Sequence, residues 1–326
     1  MLYIDNPTNN DPRLNLALEE YVLRHVPTEE PILLFYVNAP AVIIGRNQNT
    51  LEEIDPDYVR EQGIHVVRRL SGGGAVYHDL GNLNFSFATS GRENFHNFGR
   101  FTAPVTAVLN KLGLPAQLHG TSDIFVHGKK ISGNAQYATS QRMFSHGTIL
   151  VNTDLGEMLK ALNPRQVQIE SKAVQSIRNF VANVTDFVPE LTLAQLREAI
   201  LEEIFGAGGV QEYPLTAADW QAIHQLAAER YGAWEWNYGA SPKFNVQKSG
   251  QLGAVKYDVR LWVERGLVQE LSLFGNFPSR REMSELTSSL VGVRYEPEAL
   301  AAVLAQHTLT DYVGTVSQEE LVGLLY

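Results

Sequence analysis

Two stretches of this chain carry residue types suited to handling anions. The first is Arg68-Arg69-Leu70-Ser71-Gly72-Gly73-Gly74-Ala75-Val76-Tyr77-His78-Asp79. Consecutive glycines lose much conformational entropy on folding, so a globular protein keeps them where backbone must approach something closely. Their N–H groups can form an anion-binding nest, and two arginines upstream add positive charge. The glycines alone would serve equally as a turn between strands. Arg68 and Arg69 before them, with His78-Asp79 after, favour a phosphate or carboxylate cradle. The second stretch is Lys129-Lys130-Ile131-Ser132-Gly133-Asn134-Ala135. A lysine is a compact cation that can follow charge from one oxygen to another. By residue type alone, a Lys-Lys pair is equally at home on the surface of a hairpin.

Other chemistries are excluded. Gly128-Lys129 fails the Walker A pattern, because Asp123 stands at its first glycine and Lys130 at its Ser/Thr. Gly72-Gly73-Gly74 fails the dinucleotide fingerprint at Tyr77. No His-Glu-x-x-His occurs, and no Gly-x-Ser-x-Gly surrounds Ser71, Ser132 or Ser145. The absence of cysteine removes disulfides, thiolate metal sites and thioester intermediates. With 26 Lys+Arg against 36 Asp+Glu, the net charge is −10, which argues against general binding to nucleic acid or an anionic membrane. A local basic pocket is still allowed.

The elements that must position these residues read as α+β. The 326 residues, 44% hydrophobic and 19% charged, can fill about two domains of ~150 residues. Pro12 opens a helix with Leu14, Leu18, Tyr21 and Val22 at helical spacing. Glu19 and Glu20 on it are expected to face solvent, with one able to line a pocket. Ile32–Val37 and Ala41–Ile44 read as strands paired across Asn38-Ala39-Pro40. His65–Arg68 is a short strand ending at the glycines. In Asn82–Ala88, Leu83, Phe85 and Phe87 alternate with Asn84 and Ser86. Ile124–Val126 and Lys130-Ile131 flank the hairpin turn at His127-Gly128-Lys129. Phe144–Val151 is a further strand, and 101–112, 193–204 and 217–231 are amphipathic helices. Ser241-Pro242 and Gln247–Gly253 read as a linker. A hairpin over Val255–Phe274 and two helices, near 282–290 and 297–305, follow it. The boundary is placed near residue 248, giving domains of 1–247 and 248–326. No secretory signal or spanning apolar segment is visible, so the cytoplasm is the expected compartment.

Read in order, several segments resemble the lipoate–protein ligases of the biotin/lipoate ligase superfamily. They are Gly45-Arg46-Asn47-Gln48-Asn49, Arg69 through Asn84, Lys130 through Ala135, His146-Gly147-Thr148-Ile149-Leu150, Ser171-Lys172 through Asn183, and Trp234 through Gly239. The resemblance runs nearly the full length and is similar to the two-domain bacterial form. It implies a large mixed-sheet catalytic domain and a small α+β accessory domain. It also implies a reaction. Lipoate attacks the α-phosphate of ATP to give lipoyl-AMP and pyrophosphate, and an acceptor lysine then opens the mixed anhydride. Acceptors would be lipoyl domains of 2-oxoacid dehydrogenase E2 subunits or the glycine-cleavage H protein, with octanoate as a possible alternative acid.

By that resemblance Lys130 is the catalytic residue, within reach of both the α-phosphate and the acyl carbonyl. ATP would be held by Arg69, Gly74, Ala75, Val76, Tyr77, Asp123, Lys130 and Lys172, with Asp123 placing Mg²⁺. Lipoate would meet Leu18, Tyr36, Arg69, Ser71, Gly73, His78, Lys130 and His146. The segment 160–178 holds Lys160, Arg165, Lys172 and Arg178 against Glu170, which suits closure over an anionic adenylate. The chain departs from the family's pattern at Thr121-Ser122, where many members have Arg-Asn. Three alternatives remain: a transferase working without cysteine, a biotin ligase, whose different glycine-arginine loop this sequence lacks, and a lipoate binder without catalysis.

Overall fold

The computed structural model describes residues 1–6, 9–48, 50–162, 180–239, 246–253, 255–264 and 266–326. Its elements in chain order are β1 (Leu2–Ile4), α1 (Pro12–His25), β2 (Ile32–Tyr36), β3 (Ala41–Ile44), α2 (Thr50–Glu53), α3 (Pro56–Glu61), β4 (His65–Arg68), β5 (Val76–His78) and β6 (Asn82–Ser90). Then come α4 (Phe98–Lys111), β7 (Gln117–His119), β8 (Asp123–Val126), β9 (Lys129–Ala138), β10 (Arg142–Leu150), α5 (Leu155–Ala161), α6 (Leu193–Phe205) and α7 (Ala217–Leu226). The chain closes with β11 (Val246–Leu252), β12 (Val255–Glu264), β13 (Leu267–Gly275), α8 (Met283–Ser289), α9 (Pro297–Leu304) and α10 (Gln318–Leu325). The fold is α+β. Among the described residues no helix is long and apolar enough to cross a membrane.

Two compact units emerge. One comprises Met1–Ile43, Ile54–Arg68 and Val76–Ala233; the other comprises Ile44–Glu53, Arg69–Ala75 and Trp234–Tyr326.

The first unit is built on a mixed sheet in the order β1-β2-β6-β10-β9-β8-β7. Its β1–β2 pair is parallel and the remaining pairs are antiparallel. One sheet face is apolar: Leu33, Phe35, Phe85, Phe87, Ile124 and Ile149 join Val105 and Leu109 of α4 and Leu196 and Ile200 of α6 in one core. The opposite face is polar yet buried, with Asn84, Ser86 and His146 under α1. Pro12 at the first turn and the Asp11 side chain, which accepts from the Arg13 N–H, start that helix. A buried polar sheet face is costly unless its groups are engaged, and it marks where function is to be sought.

The expected hairpin between Ile32–Val37 and Ala41–Ile44 does not form. β2 lies in the large sheet between β1 and β6, whereas β3 is the centre of a separate sheet, β4-β3-β5. Asn38 resembles a turn residue in sequence, but its side chain is fully buried and hydrogen-bonded to Asn15 and His78. The chain there crosses from one sheet to the other.

In the second unit β11-β12-β13 form an antiparallel sheet. Val259, Leu261, Leu273, Leu286, Leu300, Leu304, Leu321 and Leu325 fill its core with the closing helices. The reading of Gln247–Gly253 as a linker is corrected, because Val246–Leu252 is a full strand registered along β12. It is polar because it is an edge strand, where polar side chains oppose unwanted pairing. A third closing helix, α10, also lies beyond the sequence expectation. Ser317 and Glu320 form a capping box at its start.

Candidate active site

Strand register decides which side chains of the first unit share a face. Asp123 lies opposite Gly133, Gly133 opposite Thr148, Thr148 opposite Asn84, and Asn84 opposite Tyr36. Opposed residues project to the same side, so these positions line the polar face, and His146 joins them two residues from Thr148. Strict alternation would put Lys130 on the other face with Ser132 and the apolar core. A register shift between Ile124 and Phe125 prevents this, because Phe125 pairs with Lys130 while Ile124 pairs with Ser132. Ile131 is the extra residue and drops into the core. The bulge thus turns Lys130 onto the face that carries Asp123.

The result is an ion pair, with Lys130 Nζ 2.8 Å from Asp123 Oδ2 and both side chains about one-third exposed, at 36% and 31%. Gly133 makes room for it. A Cβ built there would stand 3.1 Å from Lys130 Nζ and 3.2 Å from Cε. The turn before Lys130 uses left-handed backbone at His127 and Gly128, as a tight hairpin requires. On its other side Lys130 is tied through its carbonyl, which accepts from the Ala182 N–H at 3.0 Å. Asn134 Nδ2 donates to the Ser122 carbonyl at 2.6 Å and to Ser132 Oγ at 3.2 Å. The turn leading into Asp123 is therefore braced through backbone that any residue at 122 supplies, which bears on the Thr121-Ser122 departure. Gly147 admits Asn134, since a Cβ there would fall 1.9 Å from Asn134 Oδ1. Neither the bulge nor the Asn134–Gly147 fit has a signature in residue type.

Of the residues expected at the acyl end, Tyr36 and His146 share this face by register, and Leu18 lies on α1, which packs against β6 and β10. Leu18 on α1 and Tyr36 on β2 are buried. His146 Nδ1 donates to the Glu19 carboxylate, 2.9 Å from Oε1 and 3.0 Å from Oε2. Glu19 and Glu20 are only 3% and 2% exposed, so the expectation that they face solvent is corrected. Glu20 accepts from Arg24 Nε at 2.6 Å, from the Tyr231 hydroxyl at 2.9 Å and from Arg230. Such burial is tolerated because cations and donors replace lost water. Burial, reinforced by Glu20, pushes the Tyr231 hydroxyl well above its ordinary value and keeps it protonated. Val76, Tyr77 and His78 lie on β5, and Asn38 Nδ2 is 2.9 Å from His78 Nδ1.

The glycine segment belongs to the second unit. Arg69 is buried against the loop it precedes. Its Nε donates to Ser71 Oγ at 3.0 Å, and its Nη2 donates to the carbonyls of Gly72 and Gly74 at 2.7 and 2.8 Å. In a trans peptide the N–H opposes the C=O, so the N–H groups of Gly73 and Ala75 point away from Arg69. An arginine that gathers the loop's carbonyls leaves N–H groups turned outward over a positive charge, the arrangement an anion needs. Gly73 takes φ +95°, where side chains are strained. Gly45 packs so closely that a Cβ there would meet the Gly73 carbonyl oxygen at 2.0 Å. Next to it the Arg46 N–H donates to the Ser71 carbonyl at 2.9 Å. The Arg46 side chain lies 4.8 Å from the Trp236 ring centre and 3.1 Å from Glu282. Lys172 and Arg178 lie outside the described residues.

Among the described residues no group of three or more His, Asp or Glu could hold a metal unaided. Asp123 offers one partly exposed carboxylate. That fits Mg²⁺, which usually takes one or two carboxylates together with substrate phosphates.

The family model for the Lipoyl protein ligase A/B catalytic domain matches residues 11–205, and that for the Bacterial lipoate protein ligase C-terminus matches 241–325. The chain is 49% identical to Lipoate-protein ligase LplJ of Bacillus subtilis, with 100% of each chain covered. It is 43% identical to Lipoate–protein ligase 1 of Staphylococcus aureus, again with 100% of each covered. A bi-partite lipoate protein ligase from Thermoplasma acidophilum, described with its E2 lipoyl domain, is 33% identical. It has a TM-score of 0.68, covering 75% of this chain and 98% of that one. A lipoate-protein ligase A bound with ATP is also 33% identical, at a TM-score of 0.63 with 73% and 98% covered. With the catalytic-domain model spanning more than half of the sequence and two close relatives matched end to end, the chain belongs to the lipoate–protein ligases.

Proposed function

We propose that this chain joins lipoate to protein lysines in two ATP-dependent steps. In the first, a lipoate carboxylate oxygen attacks the α-phosphorus of ATP. The bond to the bridging oxygen breaks, and pyrophosphate leaves lipoyl-AMP behind. In the second, the ε-amine of an acceptor lysine attacks the acyl carbon. The amide forms, AMP departs and the amine loses a proton. Both steps gather negative charge on phosphoryl or acyl oxygens, so preorganised cations and N–H donors supply most of the rate. ATP and lipoyl-domain acceptors are supported by relatives described with ATP and with an E2 lipoyl domain.

The observation that carries this reading is the bulge that holds the Lys130 ammonium against Asp123 across Gly133. Lys130 stabilises charge on the α-phosphate and on the acyl carbonyl. Arg69 and the backbone of Gly74, Ala75, Val76 and Tyr77 hold the nucleotide, joined by Asp123 and Lys172. Leu18, Tyr36, Ser71, Gly73, His78 and His146 receive lipoate, together with Arg69 and Lys130. Mg²⁺ at Asp123 would neutralise phosphate charge when bound. We further propose octanoate as a second acid, the glycine-cleavage H protein as a second acceptor and the cytoplasm, where ATP is available, as the compartment. The catalytic domain is proposed as 1–247 and the accessory domain as 248–326, to within the few residues by which β11, starting at Val246, must stay whole.

Hydroxamate trapping tests the reading. With ATP, Mg²⁺ and lipoate alone, lipoyl-hydroxamate should accumulate. Product that requires a preloaded acyl donor would make the chain a transferase, and no product under either condition would make it a binder.

A further inference from the structure

Around the start of α1 runs a chain of amides that neither adenylation nor acyl transfer uses. Asn9 Oδ1 accepts from the backbone N–H of Asp11 at 2.9 Å, so the Asn9 amide has one orientation. Its Nδ2 therefore points at Asn15 and donates to Asn15 Oδ1 at 2.9 Å; Asn6 Nδ2 donates to the same oxygen at 2.7 Å. The Asn15 amide is fixed again from its other end. Its Nδ2 faces the backbone carbonyls of Val37 at 3.2 Å and Asn9 at 3.3 Å, which can only accept. The same Nδ2 donates to Asn38 at 2.8 Å, so the Asn38 atom there must be oxygen. Asn38 then has its Nδ2, a donor without lone pair, 2.9 Å from His78 Nδ1. A donor facing Nδ1 requires a lone pair on it, and in neutral imidazole the proton must then reside on Nε2.

We propose that Asn38 is a positioning residue that fixes His78 as the neutral Nε2–H tautomer, under instruction from backbone groups of residues 9, 11 and 37 relayed through Asn9 and Asn15. This rests on the assignment of His78 to substrate binding, and it specifies what His78 brings there. Nε2 is a hydrogen-bond donor, suited to an anionic oxygen, and the ring adds no full charge. The opposite tautomer would turn a lone pair toward that oxygen. The relay also explains why three asparagines, residues with poor strand and helix propensity, gather around the start of α1.

The test is ¹⁵N NMR of ligand-free protein carrying ¹⁵N-labelled histidine, with His78→Gln used to assign the signal among the nine histidines. Wild type should show a pyridine-type Nδ1 and a pyrrole-type Nε2 for His78. A protonated Nδ1 would overturn the proposal; the tautomer is read in the wild-type protein, and His78→Gln serves only to assign its signal. Asn15→Asp then tests the relay at a distance. At a pH where the new carboxyl is ionised, it can only accept, so Asn38 must turn its Nδ2 toward it and its oxygen toward His78, and the proton should move to Nδ1. An unmoved proton in folded Asn15→Asp would refute the relay. KM for lipoate and for ATP, measured in the same variant, reads the assignment separately. A rise of about tenfold or more in one of them is expected for a lost hydrogen bond to an anion. A moved proton with both KM values unchanged would support the relay and remove His78 from the substrate site.

Discussion

Replacing Gly133 by alanine isolates the geometry of Lys130 from the stability of the fold. The added Cβ would lie 3.1 Å from Lys130 Nζ, 3.2 Å from Cε and 3.8 Å from Asp123 Oδ1. The two closer contacts are tighter than ordinary van der Waals packing, so the ammonium must shift by a few tenths of an ångström. It can do so cheaply, because it is the end of a flexible, partly exposed side chain. Gly133 does not use left-handed backbone, so alanine fits its strand conformation. Lowering the entropy of the unfolded chain should then make the variant equally stable or more stable by about 0.5 kcal/mol. Adenylation should suffer, because a misplacement of ~1 Å at a reacting centre costs about a hundredfold. Half of that shift implies a loss on the order of tenfold. Lipoate-dependent ATP–pyrophosphate exchange measures the rate, and urea denaturation the stability. A folded Gly133→Ala protein with wild-type exchange would show that the position of the Lys130 ammonium does not limit activation. A large loss of stability would show that the strand cannot accept a side chain at 133.

Three other outcomes follow from the packing. Arg69→Lys should raise KM for ATP about tenfold or more with the protein still folded, since one ammonium cannot replace a planar fork that reaches Ser71, Gly72 and Gly74 together; isothermal titration with a non-hydrolysable ATP analogue checks it. Glu20→Ala leaves the buried Tyr231 hydroxyl and two arginines without their carboxylate, and because both arginines reach solvent the cost in urea denaturation should be about 2 kcal/mol. At high pH the buried tyrosines become the weak point. Burial, with a smaller push from Glu320, raises the Tyr257 hydroxyl from 10.0 to about 12, while it donates to the Val313 carbonyl at 2.8 Å. Above pH 10 the unfolded chain releases this proton and the folded chain keeps it, so stability is intact below about pH 10 and lost as pH rises toward about 12. Tyr257→Phe should flatten that decline in pH-dependent denaturation, and an unchanged slope would count against it.

The chemistry of this chain is more legible in its sequence than its geometry. Lys130 and the triple glycine stand out because their types are expensive or distinctive where they occur, and the order of the surrounding motifs narrows the family. Which face Lys130 takes is not legible, because a one-residue bulge at Ile131 inverts the alternation that any strand reading assumes. Asn38 misleads for a related reason. Amide side chains that favour turns can also satisfy one another in a core, and only tertiary structure tells which occurs. Glu19 and Glu20 have the type of solvent residues, and it takes Arg24, Arg230, Tyr231 and His146, distant in sequence or on another turn, to bury them. The polar β11 reads as a linker because an edge strand and a flexible segment share a composition. Arg69 is legible as a cation beside the glycines. That it grips the carbonyls of the loop, and so sets the direction of the N–H groups, follows only from the distances.

The most direct measurement supplies purified protein with ATP, Mg²⁺, lipoate and an apo lipoyl domain, and reads the acceptor by intact-mass spectrometry, with Lys130→Ala alongside. The wild-type protein should add one lipoyl group to a single acceptor lysine only when ATP is present, and folded Lys130→Ala should add none. An acceptor lipoylated equally by both proteins, or by neither, would contradict a catalytic role for the lysine on the bulge.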